Sequence, residues 1–519
     1  MRNYDKVRSS RFSVAIYVLL LSLAILLSGC SGGGSGSSGI GGVTVTGTAS
    51  GTVIVAIDQN NKEVARAAAV GIPKTFAVNL PVGGTYRFYL IEDQDTINET
   101  IFPLYQGTTN NFSITSSATI DLGFVDTTTG VAIPAKNPLL ISGVSSAGEI
   151  KSFPETLVSA TPPTGASLIS LVNSGLNYLS QGSILKAKAY FKAAVENYPN
   201  DSSNDGDTAR AFYAFTRAVV VNLYSDGNTG DLNSAGDILD RMGCSPGGRG
   251  LYKLLSARGP LPMVSPKTAP SSFPTGAELQ AFLYNVIKPE LEGALANLDA
   301  VSSSFNRTWT EPVSGNAFIS DYGDILYAKA WIKGAIATIL IQYAYNLNAN
   351  IAAQLNTEPR ETQVFLVNNP SFLTRASGYS PLLSTAKTYL SEAADNYTAG
   401  INIIQTHTRA YLIQVGDMTA QDIADEKTAI ANWKASLSGP HIVANGRDKT
   451  TGTADDVIFN LTPFFLGINL RDLLPPFIGG NKAVLSFPDP TMGGVIVQGV
   501  NMNESAKNFG IPHIPAVLY

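Results

Sequence analysis

The chain has 519 residues, with 35 Lys and Arg against 40 Asp and Glu, a formal net charge of −5, and only 14% charged residues. This mildly acidic balance contains no basic block, which excludes the phosphate-neutralising surface that a nucleic-acid partner needs. Two cysteines exclude a disulfide framework, three histidines leave little for a zinc enzyme or a Ser-His hydrolase, and the length suits two or three domains.

Residues 1–11 carry Arg2, Lys6, Arg8 and Arg11 against Asp5, and residues 12–27, FSVAIYVLLLSLAILL, are almost wholly apolar. A basic start before a short apolar core reads as a secretory signal over 1–29, because a membrane-spanning helix needs ~20 apolar residues. Leu27-Ser28-Gly29-Cys30 resembles the lipobox of bacterial lipoproteins. That resemblance implies cleavage before Cys30 and lipidation of its thiol. Ser31, in place of an Asp, implies sorting to the outer membrane, on its periplasmic or its cell-surface face. Residues 30–42 are nearly all Gly and Ser and read as a flexible tether. An acyl chain contributes ~0.8 kcal/mol per buried CH₂, so a multiply acylated Cys30 makes the membrane a firm partner. Cys244 is then left without a partner in the chain and reads as structural.

Residues 43–126 read as strands. VTVTG, TVIVAI, TFAVNL, TYRFYLIE, NFSIT and TIDLGFV are short, β-branched and aromatic, and turn signals such as DQNNK and PVGG separate them. Phe76, Val78 and Leu80 alternate, as do Tyr86, Phe88 and Leu90, which predicts a small antiparallel β-sandwich. FAVNLPVGGTYRFYLIED resembles the carboxypeptidase-regulatory-like and transthyretin-like β-domains, which implies a spacer or adhesive module without chemistry. Residues 127–165, rich in Pro, Gly, Ser and Thr, read as a linker.

Residues 166–440 read as helices. SLISLVNSGLNYLSQGSILKAKAYFKAAVENYPND resembles a tetratricopeptide repeat, with Leu171, Gly175, Tyr178, Ala187, Phe191, Ala194 and Pro199 at the matching spacing. Ser174, where an apolar residue is usual, departs from it. Gly175 and Ala187 are expected to let two helices cross closely, Tyr178 and Phe191 to fill the gap, and Pro199 to end the second helix. A degraded second copy follows, with Ala235 and Leu239 in the small and large positions. Pro289 is expected to kink or break the helix that contains it. The stretch 322–347 carries Ile325, Ala328, Trp331, Ile332, Ala335, Ile339 and Tyr343 on more than one face and predicts a central, buried helix. Asp324, Lys329 and Lys333 inside it argue against a membrane span.

Residues 441–519 are dense in Gly and Pro and read as an irregular cap of short strands over the helical part. The loop ANGRDKTTGTADDVIF resembles the Asp/Asn/Gly-rich calcium loops of bacterial surface proteins. The resemblance makes Asn445, Asp448, Asp455 and Asp456 the ligands of a structural calcium ion. The same residues are also those of a tight turn. Residues 226–237 have Asp231 where an EF-hand needs Gly and read as a turn. In 487–495 Asp489 reads as part of a structural clamp, with Asp472 and Asp489 as the alternative ligand groups. His407 reads as structural or solvent-facing, and His441 as a cap or loop residue.

The expected class is therefore α+β multidomain: a small antiparallel β-sandwich, a tetratricopeptide-like α-solenoid and a C-terminal cap. The expected function is a non-catalytic scaffold lipoprotein of the bacterial envelope that binds a protein or peptide on its helices. The alternative is a SusD-like nutrient-binding lipoprotein, for which exposed aromatics such as Trp309 and Trp433 would stack a sugar.

Overall fold

A computed structural model describes most of residues 42–500. The segments 1–41, 93–99, 150–161, 226–231, 243–249, 252–269, 311–315, 356–365, 446–449, 475–487 and 501–519 lie outside the described residues, with a few shorter loop stretches. Cys30, Cys244, Asp448 and His513 fall among them. The chain is mixed α and β and divides into two compact units, residues 1–264 with 307–319, and residues 265–306 with 320–519.

The first unit opens with ten strands: β1 (Val43–Ala49), β2 (Val53–Asp58), β3 (Glu63–Ala68), β4 (Thr75–Leu80), β5 (Gly84–Glu92), β6 (Thr100–Pro103), β7 (Phe112–Ile114), β8 (Thr119–Asp126), β9 (Ile133–Pro134) and β10 (Val144–Ser146). One sheet has the order β4-β1-β8-β9, and the other β10-β7-β5-β2-β3 with β6 paired to β5. Period-two alternation places Phe76, Val78 and Leu80 inward and Thr75, Ala77 and Asn79 outward. They share one core with Ile54, Ala56, Tyr86, Phe88 and Leu90 of the second sheet. β5 is buried on both faces, because Tyr89 and Ile91 form a second cluster with Val53, Val55, Ile57 and Ile101, on which Leu185 packs.

Two expectations are corrected here. The pairing is not wholly antiparallel, since β1 and β8 run parallel. The β region also continues past residue 126, because β9 and β10 add to the two sheets from within the expected linker. Both are short edge strands, and Pro134 is tolerated because it closes one of them.

Three helices follow, α1 (Leu168–Ser180), α2 (Ile184–Asn197) and α3 (Asn204–Leu223). Ser167 caps α1 by accepting the Ser170 amide at 3.3 Å. Leu171, Ala187, Phe191 and Ala194 are fully buried. Gly175 lies under the Phe191 ring, where a Cβ would come within 2.6 Å of Cε1. Tyr178 of α1 is half-buried and packs on Tyr190 of α2 at 5.3 Å, beside the Phe191–Gly175 contact. Pro199 is exposed just beyond the end of α2. Phe191 in turn stacks on Phe212 of α3 at 5.5 Å. The short helix α4 (Ala235–Arg241) starts where Asp237 accepts the amides of Asn233 and Ser234, so this acid closes a helix start.

Strands β11 (Asn306–Thr310) and β12 (Ala317–Asp321) pair with each other. Within the first unit Trp309 meets Phe212 edge-on at 5.2 Å, and Arg307 pairs with Asp205 at 2.8 Å.

In the second unit, α5 (Gly276–Phe282) continues through a π turn, Leu283–Ile287, into α6 (Lys288–Asp299). The expected break at Pro289 is absorbed there: the ring cannot donate to the preceding turn, and the wider π turn accommodates it. Helix α7 (Tyr322–Tyr343) buries Ile325, Ile332, Ile336, Ile339 and Leu340. Its cations are paired, Lys329 with Asp299 at 2.6 Å and Lys333 with Glu392 at 2.7 Å. No helix among the described residues is long and apolar enough to cross a membrane. Helix α8 (Tyr379–Ile404) packs along α7, and α9 (Ala420–Ser436) begins in a capping box of Thr419 and Asp422.

The tail forms a three-stranded sheet of β13 (His441–Ala444), β14 (Val457–Phe459) and β15 (Ile496–Gln498). It packs back on the helices of this unit. Leu461 donates its amide to Ser436 O at 2.7 Å, and Tyr345 donates its hydroxyl to Ile468 O at 2.9 Å. His441 opens β13, exposed and 3.1 Å from Asn432 Oδ1, rather than capping a helix. The expected strand AVLSF lies outside the described residues.

Candidate functional site

Among the described residues, one group of acidic and imidazole side chains converges: Asp321, Asp324 and His407 hold donor atoms within 4.8 Å of one another. Two of the three are placed by the start of α7. Asp321 is its N-cap and accepts the Gly323 amide at 2.8 Å, while Asp324 Oδ2 accepts the Asp321 amide at 3.0 Å. This reciprocal pair is a capping box, and the carboxylates sit where the helix dipole favours negative charge. His407 arrives from the other side, three residues past α8. The two helix ends come together because residue 323 is Gly: a Cβ there would stand 3.1 Å from Ile403 and Ile404 of α8.

The imidazole is held at both nitrogens. Nδ1 lies 2.6 Å from Ile413 O, and Nε2 lies 3.0 Å from Asp321 Oδ2. A carbonyl oxygen can only accept, so Nδ1 carries hydrogen and Nε2 is the nitrogen turned to the carboxylates. Tyr411 stacks on the ring at 4.1 Å. The His407 side chain is 2% exposed, which removes the solvent-facing alternative, and that of Asp321 is 16% exposed. Burial pushes the Asp324 carboxyl up to about 7, against the opposing pull of the Asp321 amide and of His407. Its Oδ1 is buried without a hydrogen-bond partner.

One imidazole nitrogen and two carboxylates within 4.8 Å make an arrangement suited to holding a cation. The Tyr411 ring covers one face of the imidazole. A concavity elsewhere, lined by Tyr105, Gly107, Val131 and Ile133 in the first unit, holds no carboxylate, imidazole or thiol.

The residues expected to bind calcium are placed differently from one another. Asn445 is exposed and accepts the Thr451 hydroxyl at 3.3 Å. Asp455 accepts the Thr453 hydroxyl at 2.8 Å. Asp456 is fully buried, and its carboxylate accepts the amides of Gly452 at 2.5 Å and Thr453 at 2.9 Å. Asp448 is not among the described residues. Asp489 accepts the Thr491 and Gly493 amides at 2.8 and 2.7 Å and so fastens its own loop, while Asp472 accepts Asn469 Nδ2 at 2.8 Å. Trp309 is 6% exposed, so it offers no face to a sugar, and Trp433 is half-buried.

The Asp321–Asp324 half of the cluster had a legible signal, an acid-x-x-acid pattern directly before an apolar helix. His407 lies 86 residues from Asp321, and no local pattern joins them. Compared with protein-family models, with curated proteins and with solved structures, the chain matches none.

Proposed function

We propose that this chain is a lipid-anchored, non-catalytic binding protein of the bacterial envelope. Cys30 holds it at the outer membrane, and its helical part meets a protein or peptide. In this reading the two sheets with a common core are a β-sandwich spacer, and α1 to α4 are helix pairs of tetratricopeptide type. The observation that carries it is the α1–α2 crossing, in which Phe191 sits on Gly175 and passes its other side to Phe212 of the next helix. Helices stacked through such ring contacts leave extended surfaces suited to binding peptides. The step from that packing to a binding role is an argument from architecture. The nutrient-binding alternative loses one of its two aromatic platforms with the burial of Trp309.

The test uses the full-length protein in intact cells of its own bacterium, cross-linked through lysines and read by mass spectrometry. One dominant protein joined to Lys192, whose side chain is 53% exposed, or to other lysines of 166–440 is the expected result. Absence of any protein cross-link overturns the partner. Cys30→Ala is expected to release the chain from the membrane fraction, and its retention there overturns the anchor.

A further inference from the structure

We propose that Asp321, Asp324 and His407 form a binding site for one divalent metal ion of the zinc type, clamping the start of α7 to the segment that follows α8.

The argument begins with His407. Its Nδ1–H is spent on Ile413 O, the arrangement that fixes the tautomer and ring plane of a metal-binding imidazole. Nε2 and Asp321 Oδ2 lie 3.0 Å apart, so either a proton on Nε2 or a metal ion joins them. A proton on Nε2 would satisfy that pair alone. It would leave the second acid poorly compensated, because Asp324 is 6% exposed, its Oδ1 makes no full hydrogen bond, and the Ile413 backbone offers only partial support to its charged form. A buried polar atom without a partner is costly, and a second acid beside the first adds repulsion. A divalent ion answers both: it takes Nε2, one oxygen of Asp321 and one of Asp324, and its charge matches the two carboxylates once Asp324 has given up its proton.

The donor set selects the ion. One imidazole nitrogen and two carboxylate oxygens suit zinc, which accepts N and O ligands in a four-coordinate shell. Calcium is disfavoured, because it requires six to eight oxygens and these residues offer too few. Tetrahedral ligands bonded at ~2.1 Å stand ~3.4 Å apart. The donor atoms here lie within 4.8 Å of one another, so the side chains draw together by about an ångström when the ion binds. Asp321 is the more exposed of the pair with His407, 16% against 2%. The remaining hydrogen bonds, Gly323 N to Asp321 Oδ1 and Asp321 N to Asp324 Oδ2, hold both acids in place for the ion.

This inference does not depend on the envelope-scaffold reading. Its test is zinc binding by the purified full-length chain, stripped with chelator and with Cys30 and Cys244 both replaced by Ser so that no thiol can compete. Zn²⁺ is titrated against a chromophoric chelator, and bound metal is counted by native mass spectrometry. One Zn²⁺ per chain, a single imidazole nitrogen in the zinc X-ray absorption spectrum, and a raised melting temperature are expected. Asp324→Asn keeps an oxygen for the Asp321 amide, so the helix start survives; it is expected to weaken zinc binding at least ten-fold. His407→Gln is expected to abolish binding, and Asp324→Asn decides the matter if that variant does not fold. No stoichiometric zinc on the parent protein, or equal affinity in Asp324→Asn, overturns the site.

Discussion

Replacing Gly175 with Ala probes the contact on which the first helix pair is built. A Cβ at this position would meet three atoms of the Phe191 ring at 2.6, 2.8 and 2.9 Å, where carbon atoms normally approach to ~3.5–4.0 Å. The ring has nowhere to retreat. Phe191 is fully buried, stacked on Phe212 at 5.5 Å, and Phe212 is met edge-on by Trp309 at 5.2 Å. Overpacking of this kind costs ~1–3 kcal/mol, whereas Ala in place of Gly inside a helix gains ~1 kcal/mol. The expected net effect is a loss of ~1 kcal/mol. In a Phe191→Leu background the clash is gone, and the same change is expected to stabilise by ~0.5–1 kcal/mol. The assay is the urea midpoint of the first unit's transition, followed by Trp309 fluorescence with Trp331 and Trp433 replaced by Phe. A reversal of sign between backgrounds supports the packing argument. Stabilisation in both backgrounds would refute it, since helix propensity alone would then be acting.

Thr419→Ala removes a capping box in which Thr419 Oγ1 accepts the Asp422 amide at 3.2 Å and Asp422 accepts the Thr419 amide at 2.9 Å. It is expected to cost ~1 kcal/mol, seen as roughly five-fold faster amide exchange in the first turn of α9, with Thr419→Ser near the parent value. Asp489 concerns acid pH. Hydrogen bonds from Thr491 and Gly493 hold its carboxyl below the ordinary carboxylate value. The folded loop therefore binds fewer protons than the unfolded one, and this contribution is fully present above the ordinary value of 3.8 and lost as pH falls through the lower folded value. An NMR titration of the Gly493 amide is expected to report a midpoint below 3.8, and a midpoint above that value contradicts the clamp.

The period-two runs between residues 43 and 126 were legible because alternation is a local property: Val43, Val45 and Ala49 are inward for the same reason as Phe76, Val78 and Leu80. The pattern misled where the backbone breaks its own period. In β8, Ile120 and Leu122 point inward, a bulge intervenes, and Val125 takes the next inward place, leaving Phe124 54% exposed. The residues of the first helix pair were likewise readable from their spacing, and Tyr178 meets Tyr190 of the facing helix. In the calcium-like loop, composition alone did not show that Asp456 Oδ2 accepts two neighbouring amides.

What the sequence by itself determined is therefore what depends on neighbours in the chain: the strands between residues 43 and 126, the first helix pair, and the buried helix of the stretch 322–347. Tertiary structure alone decided that β1 runs parallel to β8, that Trp309 is buried against Phe212, and that His407 faces the two acids. The physical reason is the same in each case. These contacts join residues far apart in the chain, and they form only because close packing, as at Gly323 against Ile403 and Ile404, brings one element's end within a bond length or two of another's.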